Sequence, residues 1–262
     1  MSITVIGDNI LHYEVNGRGA PVIFIHGWLG SWRYWWPSMQ VLSSQFRTFA
    51  FDLWGYGDSS KDSEKYSFNN YVELLDEFIE QLGITQPVTL IGHALGAAIS
   101  TRFARLQPER VEKLVNVALP VTGQSINTNL TNGRVNNFIE KYLQKSKPYS
   151  QVRQEMLKTD SVAVSTVAEQ LSFYDFKDDL LAIECPVLVI FGDQDTIIRN
   201  SQEQYQIIWH EETNRHVIPL AESSHFPMLD QPAIFNRLVQ DFAVGQDQEK
   251  ITPKQYWQRR TR

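Results

Sequence analysis

Val88-Thr89-Leu90-Ile91-Gly92-His93-Ala94-Leu95-Gly96-Ala97-Ala98-Ile99 reads as a buried strand that breaks at a glycine-bracketed turn and restarts as a helix. Val88–Ile91 is a short apolar run of the kind that is covered on both faces in a parallel sheet. Gly92 and Gly96 flank the turn, where larger side chains would collide. The small residues Ala97 and Ala98 suit a helix lying close against its own strand.

Outward from this point the same grammar repeats. Ile10–Val15 is a β-prone stretch ending in the turn Asn16-Gly17-Arg18-Gly19, and Pro21–Ile25, Arg47–Phe51, Leu114–Ala118, Val187–Phe191 and His216–Pro219 are further strand candidates. Tyr71–Leu82 repeats apolar residues at three and four and closes at Gly83, a helix stop. Strand–helix alternation predicts an α/β fold with a doubly wound, mostly parallel sheet. The rhythm breaks between Val121 and Leu181, where helical stretches such as Val135–Lys145 and Val162–Phe173 replace strands. This predicts a core of residues 1–120 and 183–245, a small helical cap over 121–182, and a tail of 246–262. The tail is rich in Gln and charge, with five basic residues against two acidic, and reads as a frayed or docked end.

Composition narrows the partners. The 262 residues are 42% hydrophobic and 21% charged, enough to bury a core and to exclude global disorder. Lys plus Arg is 24 and Asp plus Glu is 30, a formal charge of −6, which gives no general attraction to nucleic acid or anionic lipid. One cysteine, Cys185, excludes an internal disulfide and a thiolate metal cluster, and no histidine has metal spacing. No apolar run approaches the ~18 residues of a membrane span, and the N-terminus lacks the pattern of a secretion signal. The expectation is a soluble, cytoplasmic protein, monomer or homodimer, with no metal and no cofactor.

The polar motifs all follow strands: His26-Gly27-Trp28-Leu29-Gly30-Ser31, Asp52-Leu53-Trp54-Gly55-Tyr56-Gly57-Asp58-Ser59, Gly92-His93-Ala94-Leu95-Gly96, Gly192-Asp193-Gln194-Asp195 and Ser224-His225-Phe226-Pro227. In open parallel sheets that edge is where ligands bind. Five motifs in this order resemble the α/β-hydrolase family over nearly the whole chain. The resemblance implies the family's sheet with the cap inserted after the sixth strand. It implies His225 as catalytic base, Asp195 rather than Asp193 as the acid that orients it, and the backbone N–H groups of Trp28 and Leu95 as the oxyanion hole. His26, Gly27, Trp28 and His93 are candidate substrate contacts, although His26 and His93 also suit a place behind their loops. Trp32, Tyr34, Trp35 and Trp36 read as packing, with room for one ring at the pocket wall.

The departure falls on the nucleophile. A Gly-x-Ser-x-Gly elbow presents a serine at its centre, and here the centre is Ala94. A methyl group cannot attack a carbonyl, and deleting the serine oxygen costs roughly a million-fold in turnover. Ser31, Ser59, Ser223 and Ser224 lie near the same edge but off the elbow. Three accounts stand at this point. Ala94 replaces a serine by design in an esterase-like hydrolase; or it is natural, and the protein binds a small apolar carbonyl compound or a partner; or His225 and Asp195 act as a general base without a covalent step. The pocket over Ala94 is expected to be apolar and roofed by Thr122–Asp179, whose residues Val135, Phe138, Leu143, Leu171 and Phe173 need something to face.

Overall fold

The computed structural model describes residues 2–131, 149–209, 214–245 and 251–253. The strands are β1 (Ser2–Ile6), β2 (Asn9–Gly17), β3 (Ala20–Ile25), β4 (Phe46–Phe51), β5 (Val88–His93), β6 (Val111–Val117), β7 (Val187–Gly192) and β8 (Arg215–Leu220). They form one sheet in the order β1-β2-β4-β3-β5-β6-β7-β8. The β1–β2 and β2–β4 pairings are antiparallel, and the remaining neighbours are parallel. The described helices are α1 (Trp36–Leu42), α2 (Phe68–Gln81), α3 (Leu95–Leu106), α4 (Thr128–Thr131), α5 (Ser150–Met156), α6 (Ser161–Leu171), α7 (Lys177–Ala182), α8 (Gln202–Trp209), α9 (Pro227–Asp230) and α10 (Pro232–Val244).

The central strands are apolar because helices cover both their faces. Every residue of β5 and β7 is buried, as is β3 after Ala20. One helical group packs α1 on α10; a second packs α2 on α3, α3 on α7 and α7 on α8. Serine caps start α2, where the Ser67 hydroxyl accepts from the Asn70 N–H. Gly245, at φ 81°, ends α10 in the left-handed cap that glycine favours.

Two readings of the sequence need correction. β1 is an additional strand that carries no apolar run, and its alternate residues Ile3 and Val5 are exposed, as befits an edge strand. Phe173 does not face the core: it is 86% exposed just past the end of α6, whereas Leu171 is fully buried. The expected helix over Val135–Lys145, with Phe138 and Leu143, lies outside the described residues, as do residues 246–250 and 254–262 of the tail. Within the described part of 121–182 there are only helices and isolated bridges, Thr122 to Asp175 and Ile126 (to Ile198).

Strand order prepares the site. β4 and β5 lie on opposite sides of β3, so the connections leave in opposite directions there and open a crevice at the strand ends. Ile25 at the end of β3 pairs in register with Gly92 on β5. The loop after β3 therefore begins beside the turn after β5.

Candidate active site

The turn after β5 is tight enough to force an unusual backbone. Ala94 sits at φ 50° and ψ −105°, a conformation that costs a residue with a Cβ about 1–3 kcal/mol. The turn is held on both sides: the Ala94 N–H donates to the Val117 carbonyl at 2.8 Å, and the Ala98 N–H donates to the Ala94 carbonyl at 3.1 Å. A Cβ on Gly92 would enter the Gly96 backbone, and one on Gly96 would enter the Ile25 carbonyl. Both glycines are needed because strand, turn and helix pass within backbone contact of one another.

The loop after β3 packs directly on this turn. A Cβ on Gly27 would stand 2.9 Å from the His93 ring and 3.1 Å from the Ala94 Cβ. Among the described residues no acceptor engages the backbone N–H of Trp28 or of Leu95, the first residue of α3. Helix N-termini leave such donors unpaired and favour negative charge. Trp28, Ala94 and Leu95 are all at most 1% exposed.

The loops that follow β7 and β8 bring Asp195 and His225 together. Asp195 Oδ2 accepts from His225 Nδ1 at 2.8 Å, and its Oδ1 accepts from the Ile197 and Ile198 N–H groups at 2.8 and 3.0 Å. A carboxylate takes only the acceptor role, so His225 carries its proton on Nδ1 and its Nε2 is the basic nitrogen when the ring is neutral. Asp193 does not reach the ring. Its carboxylate accepts from the Ser223 N–H at 3.4 Å, and its own N–H donates to the Leu220 carbonyl, which ties the two loops together.

His26 and His93 offer no ring nitrogen to a ligand. His26 Nδ1 donates to the Gly27 carbonyl at 2.8 Å, and its Nε2 accepts from the Leu53 N–H at 3.0 Å. His93 Nε2 meets the His225 carbonyl at 2.8 Å, and its Nδ1 meets the Tyr34 hydroxyl at 3.0 Å. Burial pushes both rings below the ordinary histidine value, His93 well below, despite the Asp52 charge near His26. The four serines near this edge are engaged elsewhere. Ser31 caps the turn at Arg33, Ser59 donates to the Asp52 carbonyl, and Ser223 and Ser224 donate to Asp230.

Asp52, fully buried, braces two loops by accepting from the Trp32 and Asp58 N–H groups. His12, Asp52 and Asp58 bring ligand-type atoms within 4.8 Å of one another, but Asp58 already pairs with Arg33 and Lys158, which supply the positive charge. Over this edge lies the cap: Glu155 in α5 pairs with Arg33 at 2.8 Å, and Asp160 accepts from the Tyr66 hydroxyl at 3.0 Å. At the other side the Tyr149 hydroxyl donates to Asp230 and meets Ser224 Oγ at 2.7 Å. Two surface hollows, of about 220 and 330 Å³, lie elsewhere, one at the opposite strand ends near Gly19 and Arg47 and one between α2 and α3.

Sequence reading passed over Tyr34 and Tyr149. Tyr34 sits in an aromatic run, and its one distinguishing signal is that a buried tyrosine, unlike Phe, needs a partner for its hydroxyl. Nothing local marked Tyr149, since its partners are 75 and 81 positions away.

Residues 20–148 match the family model described as alpha/beta hydrolase fold, and a hydrolase from Pseudomonas aeruginosa superposes with a TM-score of 0.81 at 18% identity, over 92% of this chain and 97% of that one. The chain has the α/β-hydrolase fold. The pimeloyl-(acyl-carrier protein) methyl ester esterase of Legionella pneumophila is 24% identical over 251 residues, 88% of this chain and 98% of that protein. The dihydrolipoyllysine-residue acetyltransferase component of the acetoin cleaving system of Pseudomonas putida is 25% identical over 244 residues, and the match spans 64% of its length. Among the described residues no helix is long and apolar enough to cross a membrane.

Proposed function

We propose that the chain binds an ester or related carbonyl compound above Ala94 and does not hydrolyse it through a covalent intermediate. The observation that carries this is Ala94 itself, held at φ 50° on an intact elbow beside a 2.8 Å His225–Asp195 pair. In this reading the Trp28 and Leu95 N–H groups receive the carbonyl oxygen. They are preorganised donors, worth most where charge develops on that oxygen. In this reading His225 Nε2 is the nitrogen that would take a proton from a serine at the elbow, and the alanine has none to give. What the reading leaves is a carbonyl-binding site whose base has no nucleophile to serve.

A second reading rests on the same pair. Asp195 is bound by two backbone N–H groups as well as His225, so the base is oriented without any nucleophile. Such a base can take a proton directly from water or from an acidic substrate.

Turnover of a panel of p-nitrophenyl esters separates these readings. The first expects negligible hydrolysis and saturable binding of a non-hydrolysed ketone analogue. Steady turnover that vanishes in His225→Ala favours the second. Neither binding nor turnover across the panel rejects both.

A further inference from the structure

We infer that His93 is a positioning residue that, with Tyr34, sets the oxyanion loop and the base loop relative to each other. The inference rests on the reading of the site as a carbonyl site. It follows from four groups whose donor and acceptor roles can be assigned one by one. The His225 carbonyl can only accept, so His93 Nε2, 2.8 Å away, carries a proton. His93 is neutral, since burial disfavours its charged form, and its Nδ1 is therefore bare. A bare nitrogen accepts, so the Tyr34 hydroxyl donates to it across 3.0 Å. That hydroxyl keeps its proton, because burial pushes its ionisation well above the ordinary tyrosine value. Its oxygen in turn accepts the Gly27 N–H at 2.7 Å.

The result is one directed chain: Gly27 N–H to Tyr34 O–H to His93 Nδ1, then His93 Nε2–H to the His225 carbonyl. It starts one residue before Trp28, the loop N–H assigned to the carbonyl oxygen. It ends on the backbone of the base. His93 itself adjoins Ala94, so the chain crosses the site's floor from one side to the other. The rings are packed as closely as the bonds require, with His93 and His225 centroids 4.6 Å apart and Tyr34 edge-on to His93 at 5.6 Å. Gly27, Tyr34, His93 and His225 are all buried, so water does not stand in for a lost member.

Packing alone would be served by phenylalanine at either ring, and only the chain needs the Tyr34 hydroxyl and the His93 nitrogens. Histidine-ring ¹⁵N NMR of the unmodified chain gives the first test, with no dependence on activity. His93 is expected as the Nε2–H tautomer with Nδ1 hydrogen-bonded, and Tyr34→Phe is expected to shift His93 Nδ1, the Trp28 N–H and the His225 Nδ1–H resonances together. Finding the Nδ1–H tautomer at His93, or a Tyr34→Phe variant that leaves Trp28 and His225 unmoved, overturns the inference. A second test uses Ala94→Ser as the background. There Tyr34→Phe and His93→Phe are expected to lower kcat by about tenfold to a hundredfold with KM little changed, the scale of an ångström of misplacement. His93→Gln, whose amide both donates and accepts, is expected to recover part of that loss. Unchanged kcat in both Phe variants overturns the inference. An Ala94→Ser chain that hydrolyses nothing counts against the carbonyl reading, and the NMR result then decides the positioning role by itself.

Discussion

At the floor of the site, Gly96 lies so close to the Ile25 carbonyl that no side chain fits between them, and the Ala94 N–H is fixed on Val117. At the roof, α5 and the residues after it meet the loops beneath mainly through side chains, Glu155 on Arg33, Lys158 on Asp58 and Asp160 on Tyr66, beside one backbone bond from the Asp160 N–H to the Gly55 carbonyl. Backbone contacts of the first kind are rigid and tolerate nothing larger. Ion pairs of the second kind are partly exposed, screened by salt and individually weak. The floor is thus held by close backbone contact, and the ion pairs at the roof are the weaker tie.

The largest expected break is at the floor. Gly96→Ala forces a Cβ into the Ile25 carbonyl and should destabilise the chain by roughly 3 kcal/mol, the upper part of the overpacking range. A thermal melt reads this as a fall in Tm of about 10 °C. Gly83→Ala is the contrast: it meets no atom within 4 Å and carries only the left-handed backbone cost at φ +62°, about 1 kcal/mol. Equal losses at the two positions would remove the distinction between close packing and local backbone strain.

Acid should reach the floor before the roof. His26 and His93 have folded-state values lowered by burial, so below about pH 6.5 the unfolded chain binds protons that the folded chain refuses. Stability therefore falls as pH drops through that window, at up to about 1.4 kcal/mol per pH unit for each ring. Urea unfolding at about pH 5 and about pH 7 checks the slope, and His93→Phe should reduce it. The roof behaves differently. Burial opposes it, yet Arg33 and Lys158 hold the Asp58 carboxyl below the usual carboxylate range. That contribution is complete above about pH 4 and is lost as pH falls through the lowered folded value.

The smallest effect is at the roof. Arg33→Met removes the cation shared by Asp58 and Glu155 and should cost about 1 kcal/mol of global stability. It should also speed hydrogen exchange in α5 while leaving β5 unchanged. Raising ionic strength from about 0.01 M to about 1 M, which shortens the screening length from ~30 to ~3 Å, should act in the same direction on the unmodified chain. Equal acceleration of α5 and β5 would mean that floor and roof open as one unit.

How much of this was legible in sequence follows the same division. Gly92, Gly96 and Gly27 announce close backbone approach by their identity, and the apolar runs of β3, β5 and β7 announce burial on both faces. The pairing of Asp195 with His225 was reached through motif order, and Asp193 was separated from it by spacing alone. Side-chain bonds between distant segments left no such trace. Tyr34 bonds His93 across 59 positions and Arg33 bonds Glu155 across 122, and neither residue type marks its partner in the chain. β1 leaves no such mark because its apolar residues Ile3 and Val5 face solvent and none of its residues is fully buried. Phe173 was misplaced because periodicity assigns a face to a helix but does not say where the helix ends.

Intact-mass spectrometry after treatment with an alkyl fluorophosphonate tests the central claim most directly, since this reagent marks an activated serine at the elbow. The unmodified chain should gain no mass, because the Ala94 side chain has no oxygen and Ser31, Ser59, Ser223 and Ser224 are hydrogen-bonded away from the turn. Ala94→Ser should gain one adduct at residue 94. Its ester turnover should rise by about 10⁴-fold, the roughly million-fold worth of the nucleophile less about a hundredfold for drift in an unused site. A stoichiometric adduct on the unmodified chain that disappears in His225→Ala would contradict the account, because another side chain would then be the nucleophile.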